Sequence, residues 1–158
     1  MIPEFVKLSP GETELILKAP ILVCILIAGA DDHIDNREVK KAIKMAKGGP
    51  RKSQSNPLSG FYALIEEDFE DKLKVVMQSY PVDTAKRNAL ISSELSGLNR
   101  ILPKLDRPFA VGFYKSIKEL ALGIAESSGG LLGIQSVGEE EARLVDLVMI
   151  TDPNSYAK

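Results

Sequence analysis

Residues 28–38 read AGADDHIDNRE and set Asp31, Asp32, Asp35 and Glu38 in one short turn between two apolar helical runs. Carboxylates this close repel one another, so crowding them costs energy unless water, a cation or backbone donors absorb the charge. Upstream, Ile21 to Ala28 is apolar nearly all round, the pattern of a helix buried on most of its faces. Downstream, Asp35-Asn36-Arg37-Glu38 has the form of a capping box, with Asp35 as the cap and Glu38 reaching back. Val39, Ala42, Ile43 and Ala46 then recur at helical spacing. A helix, an acidic turn and a capped helix are the unit from which the rest of the chain is read.

Moving outward, Ser9-Pro10-Gly11-Glu12 opens the first helix with a cap, a proline at the first helical position and a second capping box. Pro20 is expected to kink or divide that run. Lys40, Lys41, Lys44 and Lys47 fill the polar faces of the second helix, Gly48-Gly49-Pro50 ends it, and Arg51 to Ser59 reads as a polar loop. Phe61, Leu64, Ile65, Phe69, Leu73, Val76 and Tyr80 trace one long helical face that Pro81 stops. Asp83 caps the next helix, whose stripe is Ile91, Leu95, Leu98, Leu102 and Leu105 and whose end Pro103 trims. Asp106-Arg107-Pro108 starts another, with Phe113, Ile117, Leu120 and Ile124 inward, ending at Ser127-Ser128-Gly129-Gly130. After the loop LLGIQSVG, Glu139-Glu140-Glu141 opens a last helix through Leu144, Val145 and Val148, and Asp152-Pro153-Asn154 closes it. Every periodic segment fits a period near 3.6 and none alternates, so the expected fold is an all-α bundle of six to seven helices in a single domain, residues 1–158.

Composition narrows the function. Twenty basic against 22 acidic residues give a formal charge of -2, without the basic excess of a nucleic-acid binder. One cysteine, Cys24, excludes an intramolecular disulfide and a multi-cysteine zinc site, and its apolar surroundings suit a buried thiol. With a single histidine, His33, a metal site must be built from oxygen ligands, which favours calcium, magnesium or manganese. No basic segment followed by an apolar core marks a signal peptide. The most apolar stretch, Leu15 to Ala30, is interrupted by Lys18 and Pro20 and is too short for a membrane span, so a cytoplasmic location is expected.

The two ends of the chain look alike. A helix ending at Ala28-Gly29-Ala30-Asp31 leads to Ile34, Asp35 and Glu38. A helix ending at Ala125-Glu126-Ser127-Ser128 leads, after an inserted loop, to Val137, Gly138 and Glu141. Overlaid, Ser128 falls on Asp31 and Glu141 on Glu38, a weak internal two-fold repeat that would bring the turns together about a pseudo-two-fold axis.

LIAGADDHIDNREV together with GIAESSGGLLGIQSVGEEEARL resembles the TerB-like family, the tellurite-resistance protein B domains of bacteria, over residues 10–150. That family has the form A-x-A-D-G-x-I-D-x-x-E near its start and a Ser-Gly-Gly turn near its end. The resemblance implies an all-helical duplicated module that acts in stress and tellurite resistance by binding metal or partner proteins. Carried over, it implies Asp31, Asp35, Glu38 and Glu141 as the acidic site residues, no organic cofactor, and other stress or tellurite-resistance proteins as partners. Where the family usually has glycine, this chain has Asp32, which either adds a ligand or loosens the turn.

The residues themselves leave two readings open. Asp31, Ile34, Asp35 and Glu38 match the fifth, eighth, ninth and twelfth places of an EF-hand loop, but the first and third would be Ile27 and Gly29, which offer no side-chain oxygen. A cation would need oxygens from elsewhere, such as the Gly130 turn or Glu139 to Glu141. Alternatively, these carboxylates only favour the positive ends of two helices, and the chain is a scaffold docking an acidic partner through the Lys40–Lys52 stripe. His33 reads as a solvated loop residue. Catalysis has little to build on: Ser92-Ser93 and Ser127-Ser128 lack a local base, and neither a G-x-S-x-G elbow nor a phosphate-binding loop occurs, so the chain is not expected to be an enzyme.

Overall fold

The computed structural model describes residues 5–28, 58–127 and 146–155. Five helices of more than two turns form there: α1 (Pro10–Ala28), α2 (Leu58–Glu66), α3 (Phe69–Gln78), α4 (Thr84–Ser96) and α6 (Arg107–Ser127). Between the last two, α5 (Leu98–Ile101) is a single turn that tightens into a 3-10 turn at Leu102–Lys104. No strand occurs among the described residues, so the class is all-α. The described residues thus give five helices, the single-turn α5 and two short 3-10 turns, at Leu102–Lys104 and Pro153–Ser155, against the six to seven helices expected. The helix expected at Val39 to Ala46 lies outside them.

Helix α1 is the centre of the molecule. Its start is the capping box expected from Ser9 and Glu12: the Ser9 N–H donates to Glu12 Oε1 at 2.9 Å, and the Glu12 N–H donates to Ser9 Oγ at 3.2 Å. Ile16 and Ala19 are buried, and so is every residue from Ile21 to Ile27. A helix apolar on all sides must be covered on all sides, and α1 packs on α6, α4, α3 and α5. Pro20 does not divide the run, because α1 is continuous through it. The proline forfeits one backbone hydrogen bond, but its neighbours on both sides are locked in the core and hold the helix together.

The direction of packing follows from three contacts. Lys104 Nζ, just ahead of α6, donates to Glu12 Oε2 in the first turn of α1 at 2.6 Å. Phe5, ahead of α1, meets Phe109 near the start of α6 edge-on, with ring centroids 5.8 Å apart. Helix α2 then serves as a ruler: Leu58 lies against Gly112, and four residues on, the Tyr62 hydroxyl meets Ser116 Oγ at 2.5 Å. Its far end, Leu64 and Ile65, faces Leu17 and Ile21 of α1. Helices α1, α2 and α6 therefore run in the same direction, with their N-terminal ends together.

That N-terminal end is sealed by aromatic rings. Phe61 stands edge-on to Phe5, Tyr62, Phe109 and Phe113 at 6.1, 5.2, 6.2 and 5.4 Å, the arrangement that ring quadrupoles favour. Ser116 donates its only hydroxyl proton to the Phe113 carbonyl at 2.7 Å, so Tyr62 is the donor in the Tyr62–Ser116 pair. Both hydroxyls are thereby satisfied where water is excluded.

Several expected helix limits are corrected. The face from Phe61 to Tyr80 belongs to two helices, broken at Glu67-Asp68, because α2 lies on α6 while α3 turns onto α1. Asp68 takes a non-helical φ of -131° at the break, and Leu64, expected inward, is 46% exposed. The run from Asp83 to Leu105 breaks at Gly97. All five residues of its stripe are nonetheless buried, and Asp83 caps α4 as expected by accepting from the Lys86 N–H at 2.9 Å. At Gly97 a Cβ would lie 2.9 Å from Leu15 Cδ2 and 3.0 Å from the Glu94 carbonyl, so a larger residue there would force the Leu15 side chain of α1 to shift. The loop expected to reach Ser59 ends earlier, since α2 begins at Leu58. The last helix does not extend through Val148: residues 146–149 form a turn in which Leu147 is buried and Val148 is 56% exposed. Phe113, Ile117 and Leu120 face inward as expected.

Phe61→Ala is predicted to cost roughly 3–5 kcal/mol of unfolding free energy. Gly97→Ala should cost roughly 1–3 kcal/mol through overpacking, and Ser9→Ala about 1 kcal/mol through the lost cap. Urea denaturation followed by circular dichroism measures all three and should preserve Phe61→Ala as the largest loss.

Candidate functional site

Asp31, Asp35, Glu38 and Glu141 lie outside the described residues, as do Asp32, His33, the Lys40–Lys52 stripe, the Gly130 turn, Glu139 and Glu140. What the described residues give is the frame from which they hang. The chain leaves α1 at Ala28 and α6 at Ser127. Because these two helices pack side by side in the same direction, both exits are at the end of the bundle opposite the aromatic seal. Chain geometry alone keeps Asp31 within about 11 Å of Ala28, three Cα steps away. Ser128 is one step beyond Ser127.

Among the described residues no group of three or more acidic, histidine or cysteine side chains is placed to hold a metal ion. Their charged clusters tie helices together. Lys18, the one charge in the apolar half of α1, bonds Glu94 Oε2 of α4 at 2.9 Å and lies 5.6 Å from the centroid of the Tyr80 ring. The Tyr80 hydroxyl donates to the other oxygen of Glu94 at 2.6 Å. One carboxylate thus joins α1, the end of α3 and α4. Partial burial, then the hydrogen bond to Glu94, push the Tyr80 phenol above its ordinary value. Sequence reading missed this cluster, although a lone lysine inside a buried helix signals a required partner.

Glu12 is held below its ordinary carboxylate value first by the hydrogen bond from Lys104, then by the Ser9 N–H. Cys24 is fully buried, and desolvation pushes its thiol up, so it is no nucleophile at neutral pH. A cleft of about 180 Å³ between α1 and α2 is lined by Leu17, Ile21, Leu64 and Ile65, with Glu67, Asp68 and Lys72 at its rim. It is smaller than the usual small-molecule pocket of about 300–1,000 Å³. No described helix is long and apolar enough to cross a membrane. No family model, no curated protein and no solved structure matches the chain.

The two shifted groups set opposite pH limits. Tyr80, raised in the folded state, contributes stability that is complete below its ordinary value of 10.0 and is lost as pH rises past it. Glu12, lowered, contributes stability present above 4.5 and lost as pH falls below that value. Urea midpoints measured against pH should therefore fall less steeply above pH 10 in Tyr80→Phe, and less steeply below pH 4.5 in Glu12→Gln, than in the wild type.

Proposed function

We propose that the chain is a TerB-like module of stress and tellurite resistance that binds a divalent cation through its two acidic turns and acts by binding rather than catalysis. Asp31, Asp35 and Glu38 supply carboxylate oxygens from the first turn, and Glu141 adds one from the second. The donor set is oxygen throughout, which suits calcium, magnesium or manganese rather than zinc or copper. Other stress or tellurite-resistance proteins are its partners, and the cytoplasm is its place of action.

The observation that supports this reading is the same-direction packing of α1 on α6, which brings Ala28 and Ser127 to one end of the bundle. A pseudo-two-fold axis along the bundle relates two parallel helices and makes their equivalent ends neighbours. Helix α6 begins 97 residues after α1, the separation that sets Ser128 on Asp31. Antiparallel packing would have carried the two acidic segments apart. The bound cation would neutralise the mutual repulsion of carboxylates that the sequence crowds together.

Isothermal calorimetry with calcium, magnesium and manganese is the test. Saturable binding by the wild type, lost in the double variant Asp35→Asn with Glu38→Gln and weakened about tenfold or more in Glu141→Gln, is the expected result. Absence of binding by the wild type contradicts it and favours the scaffold reading, with the Lys40–Lys52 stripe as the docking face.

A further inference from the structure

Residues 146–155 are attached to the bundle differently from everything else described. Their backbone bonds are local: the Ile150 N–H donates to the Leu147 carbonyl at 3.0 Å, and the Ser155 N–H to the Asp152 carbonyl at 2.9 Å. Among the described residues, one side chain grips the segment from outside by hydrogen bonds. Asn99 of α5 donates from Nδ2 to the Met149 carbonyl at 3.0 Å and accepts at Oδ1 from the Thr151 N–H at 2.7 Å. A single amide thus pairs with the backbone on both sides of Ile150, in the way a neighbouring strand would, and reads no side chain. Leu147, Ile150 and Pro153 are buried at intervals of three residues, and the 3-10 turn Pro153–Ser155 rests on α6.

The docked form is also strained. Leu147 has a φ of 51°, the left-handed region that residues with a Cβ avoid, and its side chain is fully buried. Burial of the leucine is what holds that backbone in place. When the side chain leaves its pocket, the strain is released with it. Strained backbone of this kind is characteristic of elements with two arrangements, and few anchors with local bonds are characteristic of segments that open ahead of the core.

We propose that residues 146–155 form a releasable latch, closed on α5 and α6 by Asn99, that opens as a unit while the helical bundle stays folded. Opening withdraws Leu147 and Ile150 from the core, bares the apolar surface beneath them, and turns a Leu-x-x-Ile-x-x-Pro segment to solvent. The aromatic seal, the capping box and the Tyr80–Glu94–Lys18 cluster contain no latch residue and are untouched by it.

Native-state hydrogen exchange of the full chain tests this. In the wild type, the Ile150, Thr151 and Ser155 amides should exchange as a set, at least about tenfold faster than core amides of α1 and α6. Asn99→Ala, which removes both clamps, should speed that set by a further factor of about ten and leave α1 and α6 unchanged. Asn99→Asp should do the same at neutral pH, because a carboxylate keeps the acceptor but faces the Met149 carbonyl without a proton to give. Exchange of the segment at the core rate overturns the proposal, as does equal acceleration of α1 and α6 in Asn99→Ala or no response in either variant.

Discussion

One helix whose second half has no polar face governs this molecule. Between Ile21 and Ile27, α1 has no side that tolerates water, and each residue there is buried. A chain carrying such a helix must wrap it, and the elements described beyond it do so. Helix α6 takes the longest share, α4 and α3 take others, and the single turn of α5 fills the space near Leu15. The breaks at Glu67-Asp68 and Gly97 follow from this demand. Straight helices would leave the central one along a tangent, and short ones joined by bends stay on it.

Where α1 meets α6, direction matters as much as contact. The Glu12–Lys104 bond and the Phe5–Phe109 ring pair fix the N-terminal ends side by side, and α2 keeps step with both along the aromatic seal. Parallel neighbours cannot be joined by a short turn, and 78 residues separate Ala28 from Arg107. The geometry therefore depends on contacts distant in sequence, chiefly rings from Phe5, Phe61 and Phe109. Its consequence is that α1 and α6 point away from the pole that the aromatic rings close.

Much of the fold was legible in the residues. The all-helical class followed from the period of the apolar positions, and the Ser9–Glu12 box and the Asp83 cap act through local bonds that spacing alone reveals. The stripe from Ile91 to Leu105 was legible as a buried face but not as a broken helix, because the apolar period continues across the break at Gly97. The same holds for Glu67-Asp68, where two partners compete for one apolar face. Leu147 was invisible for a different reason: a leucine with left-handed backbone contradicts its own propensity, and only burial in the finished core holds it there. Lys18 was read only as an interruption of the apolar stretch, because its partners Glu94 and Tyr80 lie far away in sequence. The acidic site expected from a family resemblance, Asp31, Asp35, Glu38 and Glu141, lies outside the described residues.

Helices α1 and α6 pack with their N-terminal ends together, and the proposed function requires their C-terminal ends to share a common pole. Pulsed electron spin resonance measures it directly, with the native cysteine replaced by Cys24→Ser and spin labels placed at Gly11 with Pro108 and, separately, at Asp31 with Ser128. Helices packed about 8–10 Å apart and pointing the same way predict that both label pairs lie within about 20 Å. A Gly11–Pro108 distance that is short and an Asp31–Ser128 distance of about 30 Å or more, a full helix length, would contradict it.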